Sequence, residues 1–116
     1  MKKPLSLCAV ALALCVSSPV PAASSAAEIH AIQELGRISG VAQACRQADI
    51  ITRIRHELDT TLAKSESRQT EETFVEAVKA SFLEHQQKNA PCPKPEQVTP
   101  KIDKLFAELR QALRTR

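Results

Sequence analysis

A chain of 116 residues with 7 prolines, 2 glycines, 3 phenylalanines and no tryptophan or tyrosine has room for one small domain. Its formal net charge of +3 comes from 16 basic against 13 acidic residues. With no basic stripe and no interleaved stacking aromatics, nucleic acid is excluded as a partner.

The chain opens MKKPLSLCAVALALCVSSPVPA, with Lys2 and Lys3 as a cationic start, an apolar run from Leu5 to Val16 and small residues at Val20-Pro21-Ala22. This pattern predicts a secretory signal peptide over 1–22, leaving one domain over 23–116 in the periplasm or outside the cell. The apolar run is about twelve residues, short of the roughly 20 that cross a bilayer as a helix, so no transmembrane segment is expected. Cys8 and Cys15 each follow a leucine rather than a small residue, which speaks against a lipid anchor. Removing Lys2 and Lys3 leaves 14 basic residues (16 less 2) against the same 13 acidic ones, a net charge of +1.

Ser25-Ala-Ala-Glu28 reads as a capping box opening a first helix, on which Ile32, Leu35, Ile38, Val41, Ala42 and Cys45 spread over about half the circumference. That breadth predicts two neighbouring helices. Asp49 is the expected N-cap of a second helix, with Ile50, Ile54, Leu58 and Leu62 at steps of four and an end near Lys64. Ser65 to Gln69 reads as a loop. Thr70 then caps a third helix, with Glu71 and Glu72 where the macrodipole favours carboxylates. Its buried face is Phe74, Val75, Val78 and Phe82, and it ends near Asn89. After Pro91, Pro93 and Pro95, the pair Thr99-Pro100 predicts an N-cap followed by proline at the first helical position. Ile102, Leu105, Phe106, Leu109 and Leu113 form the stripe of this fourth helix. The predicted fold class is all-α: a small four-helix bundle stapled by one disulfide.

Of four cysteines, only Cys45 and Cys92 remain once the signal peptide is removed, and an even count in an oxidising compartment predicts one bond between them. By the chain-entropy model, closing a loop of this length is worth about 4 kcal/mol. The flanking prolines end the third helix and hold the crossover extended.

Chemical motifs are sparse. A catalytic thiol would need a nearby partner cysteine or a base, and His30, His56 and His85 show no metal-ligand spacing with each other or with the cysteines. His85 falls on the apolar side of the third helix near its end, which makes it a candidate for a pH-sensitive position. Met1 is the one methionine, so a methionine-based copper site is excluded. Glu71, Glu72 and Glu76 read as capping charge, and no phosphate loop, dinucleotide fingerprint or nucleophile elbow occurs. The expectation is a non-enzymatic protein without metal or other cofactor. Gly36 and Gly40, four residues apart, suggest a close helix crossing. Leu83 projects away from its helix's apolar arc, so Ile32, Ile38, Val41 and Leu83 are the candidate partner contacts.

A signal peptide, four short helices, Cys45 joined to Cys92 and the stripe Ile102 to Leu113 resemble the architecture of the pilotins of type II secretion. The resemblance implies binding of a helical segment of a secretion-system component. It covers most of the exported chain, which departs from the lipidated members of that family. Size and cysteine separation are also similar to the acid-stress holdase chaperones of the enteric periplasm, although Ala42-Gln43-Ala44 stands where that family has a tryptophan. A structural subunit of an envelope complex and a homodimer are the remaining alternatives.

Overall fold

A computed structural model describes residues 25–62 and 67–115. The segment expected to be a signal peptide lies outside these residues. Four helices make up the described chain: α1 Ala26–Ala44, α2 Ala48–Thr61, α3 Ser67–Lys88 and α4 Pro95–Arg114. No strand occurs among the described residues, and none of their helices is long and apolar enough to cross a membrane.

Ser25 caps α1 as expected, its Oγ accepting from the Glu28 backbone N–H at 3.2 Å. The other end closes without glycine. Gln47 N–H donates to Ala42 O at 2.8 Å and Arg46 N–H to Gln43 O at 3.2 Å, with Arg46 left-handed at φ 57°. This is the six-to-one and five-to-two pattern of a Schellman turn, with arginine in the position glycine usually takes. Because the turn consumes Arg46 and Gln47, α2 begins at once: Gln47 occupies the N-cap without a side-chain bond, and Asp49 sits inside the first turn. Asp49 is therefore not the cap, although its charge there still complements the macrodipole.

The start of α3 also lies earlier than expected. The helix runs from Ser67, so Thr70 is an interior residue, buried against α1, rather than a cap. Its end matches expectation, with Asn89 left-handed at φ 49°, a conformation asparagine tolerates better than most residues. In α4 the rule of proline at the first helical position holds, but at Pro95 rather than Pro100. Gln97 Oε1 accepts from the Lys94 N–H at 3.1 Å, closing the new start, and Pro100 lies within the helix. The earlier start places Val98 one helical turn before Ile102, where it is buried and extends the stripe.

Helix α1 is the common wall, packing against all three others rather than two. Gly36 and Gly40 face the Phe74–Phe82 stretch of α3 in the same order along both helices, so α1 and α3 run parallel. Arg53 pairs with Asp103, and Glu57 with Arg110, which sets α2 parallel to α4. The N-terminal turn of α1, at Ala27 and His30, meets the C-terminal part of α4, so the topology is up-down-up-down. Asp103 first, then Glu57, hydrogen-bond the Arg53 guanidinium and hold its pKa above the ordinary arginine value, so its charge is permanent.

The core is Ala31, Ile32, Leu35 and Ala42 of α1, Ile50, Ile54 and Leu58 of α2, and Val98, Ile102, Leu105, Phe106, Leu109 and Ala112 of α4, with Phe74 alone from α3. Leu113 packs against its edge. Phe82, expected in the core, is half-buried.

Candidate functional site

Two features stand out, the corner where the disulfide lies and the outer flank of α3.

At the corner, Cys45 at the C-cap of α1 is bonded to Cys92 in the crossover, with Cα atoms 5.9 Å apart across a separation of 47 residues. His85, in the last turn of α3, places Nε2 3.8 Å from the Cys45 sulfur. A second tie runs beside the disulfide, where Gln47 Nε2 donates to Pro93 O at 2.8 Å. Gln47 Oε1 is buried with no hydrogen-bond partner among the described residues. Neither Gln47 nor the meeting of His85 with the disulfide has a local signal, because each depends on elements far apart in the chain. Wheel geometry does place His85 on the apolar side of α3, and there it is half-buried. His30 and His56 lie on exposed faces, as expected.

The flank of α3 follows from how it meets α1. A Cβ on Gly40 would lie 2.5 Å from Val78 O and 2.9 Å from Phe82 N, and one on Gly36 2.6 Å from Ala77 Cβ. The two backbones therefore touch along a seam of small residues, and Ser81 Oγ donates to Arg37 O at 2.7 Å across it. A seam this close leaves the larger side chains of α3 outside it. Val75, Val78 and Phe82 are half-buried, Val78 packing against the core, and Leu83 is 54% exposed, the one large exposed hydrophobic among the described residues. At 100° per residue these four span an arc of about 140°. The helix that could cover them is α2, yet no Cα of α2 comes within 8 Å of one in α3. Arg55 reaches across, 3.4 Å from Glu71 and 5.6 Å from the centre of the Phe74 ring.

The four candidate partner contacts do not form one surface. Ile32 is core, 2% exposed, because the broad face of α1 serves three neighbours. Ile38 is two residues from both Gly36 and Gly40, so it faces away from α3 and packs against the core edge. Val41 is half-buried on α1. Leu83, nine residues from Phe74 and thus half a turn round, faces away from α1. Of the four, Leu83 alone lies on the outer flank of α3, beside Val75 and Phe82, which are half-buried rather than fully buried.

A mainly polar depression on the other side of the seam is lined by Gln33, Arg37, Thr73, Glu76 and Glu84, with Ala77 and Ala80 as its apolar floor. Comparison of the chain with protein-family profiles, with curated proteins and with solved structures returned no match.

Proposed function

We propose that the chain is an exported accessory protein of the bacterial envelope that acts without catalysis, by binding a helical segment of another polypeptide along α3. The site is Val75, Val78 and Phe82, bordered by Leu83. Export rests on the N-terminal sequence pattern, and a secretion-system component is the partner that the pilotin resemblance suggests.

One observation supports the reading above the rest. The longest of the described helices, 22 residues, contributes a single fully buried apolar side chain, although it carries five large ones. An apolar strip on a helix held by a close seam is the usual receptor for an amphipathic helix, which anchors at i, i+3, i+4 and i+7.

Leu83→Glu is expected to change stability by no more than about 0.5 kcal/mol, as for other surface substitutions, and to abolish partner binding. The test is affinity capture from the periplasm followed by mass spectrometry, with the parent, Leu83→Glu and Phe82→Ser chains compared side by side. An envelope or secretion component enriched by the parent and lost from both variants supports the reading. A partner retained by both variants refutes the site. A parent that is dimeric by light scattering, with a monomeric Leu83→Glu chain, would assign the strip to a second copy. Disulfide-dependent protection of an unrelated client in strong acid would favour the holdase.

A further inference from the structure

We propose that the reduced chain binds one thiophilic divalent cation, zinc above all, through Cys45, Cys92 and His85. The disulfide corner is then one of two states of the same three side chains, an oxidised staple or a reduced metal site.

One ligand atom from each of the three residues lies within 4.8 Å of the others. A tetrahedral zinc with Zn–S of about 2.3 Å and Zn–N of about 2.0–2.1 Å sets its ligand atoms roughly 3.5–3.8 Å apart. His85 Nε2 already stands 3.8 Å from the Cys45 sulfur. The remaining change is separation of the two sulfurs once their bond opens, and Cys92, on an exposed stretch of the crossover, has room to make it. Zinc signatures are short local spacings, whereas here the ligands come from the end of α1, the last turn of α3 and the crossover, with Cys45 and His85 40 positions apart.

Three contacts other than the disulfide position the ligands. The Schellman turn positions Cys45, the seam through Gly36 and Gly40 positions α3 and so His85, and the bond from Gln47 to Pro93 holds the residue next to Cys92. None of these needs the sulfur–sulfur bond. Such preorganisation separates a site from a chance meeting of side chains.

The chemistry balances with a dithiol as reductant. It passes two electrons to the Cys45–Cys92 bond and itself becomes a disulfide. The two protein thiols then release two protons to water as the cation binds, and His85 supplies a neutral nitrogen lone pair. Two thiolates cancel the charge of a divalent ion, which suits a half-buried corner. Three protein ligands leave the fourth position to water. A disulfide-bearing oxidant reverses the sequence, taking two electrons from the thiolates and expelling the ion.

Cobalt(II) is the probe, titrated without oxygen into the mature chain reduced by a phosphine, with far-ultraviolet circular dichroism recorded on the same samples. The reduced parent is expected to take one equivalent, with thiolate-to-cobalt charge-transfer bands and the intense visible bands of tetrahedral cobalt, all lost on adding zinc. The oxidised chain should show none. His85→Ala and His85→Gln are expected to weaken binding by more than the roughly 10–100-fold that loss of an outer-shell partner costs, while the exposed His56→Ala leaves it unchanged. If reduction loosens the fold, cobalt should restore helicity to the parent and to neither His85 variant. Absence of the bands, equal affinity in the His85 variants, or cobalt uptake by a reduced chain that stays unfolded would each overturn the proposal.

Discussion

The chain carrying Cys45→Ser together with Cys92→Ser is expected to be less stable than the parent by about 2–5 kcal/mol, which for a domain this small lowers its melting temperature by roughly 10–40 °C. Total stability in this size range is typically about 5–10 kcal/mol, so the loss is a large share. The effect acts mainly on the unfolded chain, because the Gln47–Pro93 hydrogen bond still joins the α1–α2 turn to the crossover when the sulfurs are gone. Thermal melts followed by circular dichroism, with a chelator present, provide the check. Reductant should bring the parent down to the double variant and leave the variant unmoved. A variant melting within a few degrees of the parent would show that the crosslink carries little.

Gly40→Leu is expected to destabilise the protein by about 2–3 kcal/mol. Helix propensity favours the substitution by nearly 1 kcal/mol, so the steric term must overcome that gain. It does so because the first added atom already meets backbone, Val78 O at 2.5 Å and Phe82 N at 2.9 Å, and Ser81 Cβ at 2.8 Å. Backbone atoms cannot rotate aside as side-chain ends do. The two helices must part, at the cost of overpacking and of the Ser81–Arg37 hydrogen bond. Urea denaturation measures the difference, with Gln33→Ala, on the exposed side of α1, expected within about 0.5 kcal/mol of the parent. A Gly40→Leu chain as stable as the parent would mean that α1 and α3 do not touch along this seam.

Features with a local cause were legible in the sequence. Ser25 as cap, the stripe from Ile102 to Leu109, the end of α3 at Asn89 and the pairing of Cys45 with Cys92 all follow from short-range pattern or thiol parity, and all are present. The starts of α2, α3 and α4 were misplaced because each has competing signals. Arg46 accepts a left-handed conformation that sequence assigns to glycine, which pulls α2 forward past Asp49. Two prolines offer themselves as the first residue of α4, and burial of Val98 decides for Pro95. At the candidate site, Leu83 was identifiable because it projects about 100° from the centre of its helix's apolar arc. Phe82 and Val75 were not, since periodicity shows which side of a helix is apolar but not whether a neighbour stands close enough to cover it.

The disulfide also changes which helices count as neighbours along the chain. Everything between the two cysteines, α2 and α3 included, is closed into a covalent ring, with α1 and α4 as its two tails leaving from one point. These tails lie antiparallel and hold most of the buried side chains. In the oxidised chain they amount to a helical hairpin whose turn is a pair of sulfur atoms. The meeting of His30 with the end of α4, formed across most of the polypeptide when the thiols are free, is then separated by little more than the two helices themselves. The search that closes the core becomes local, and the topology that makes folding slow is shortened before any side chain packs.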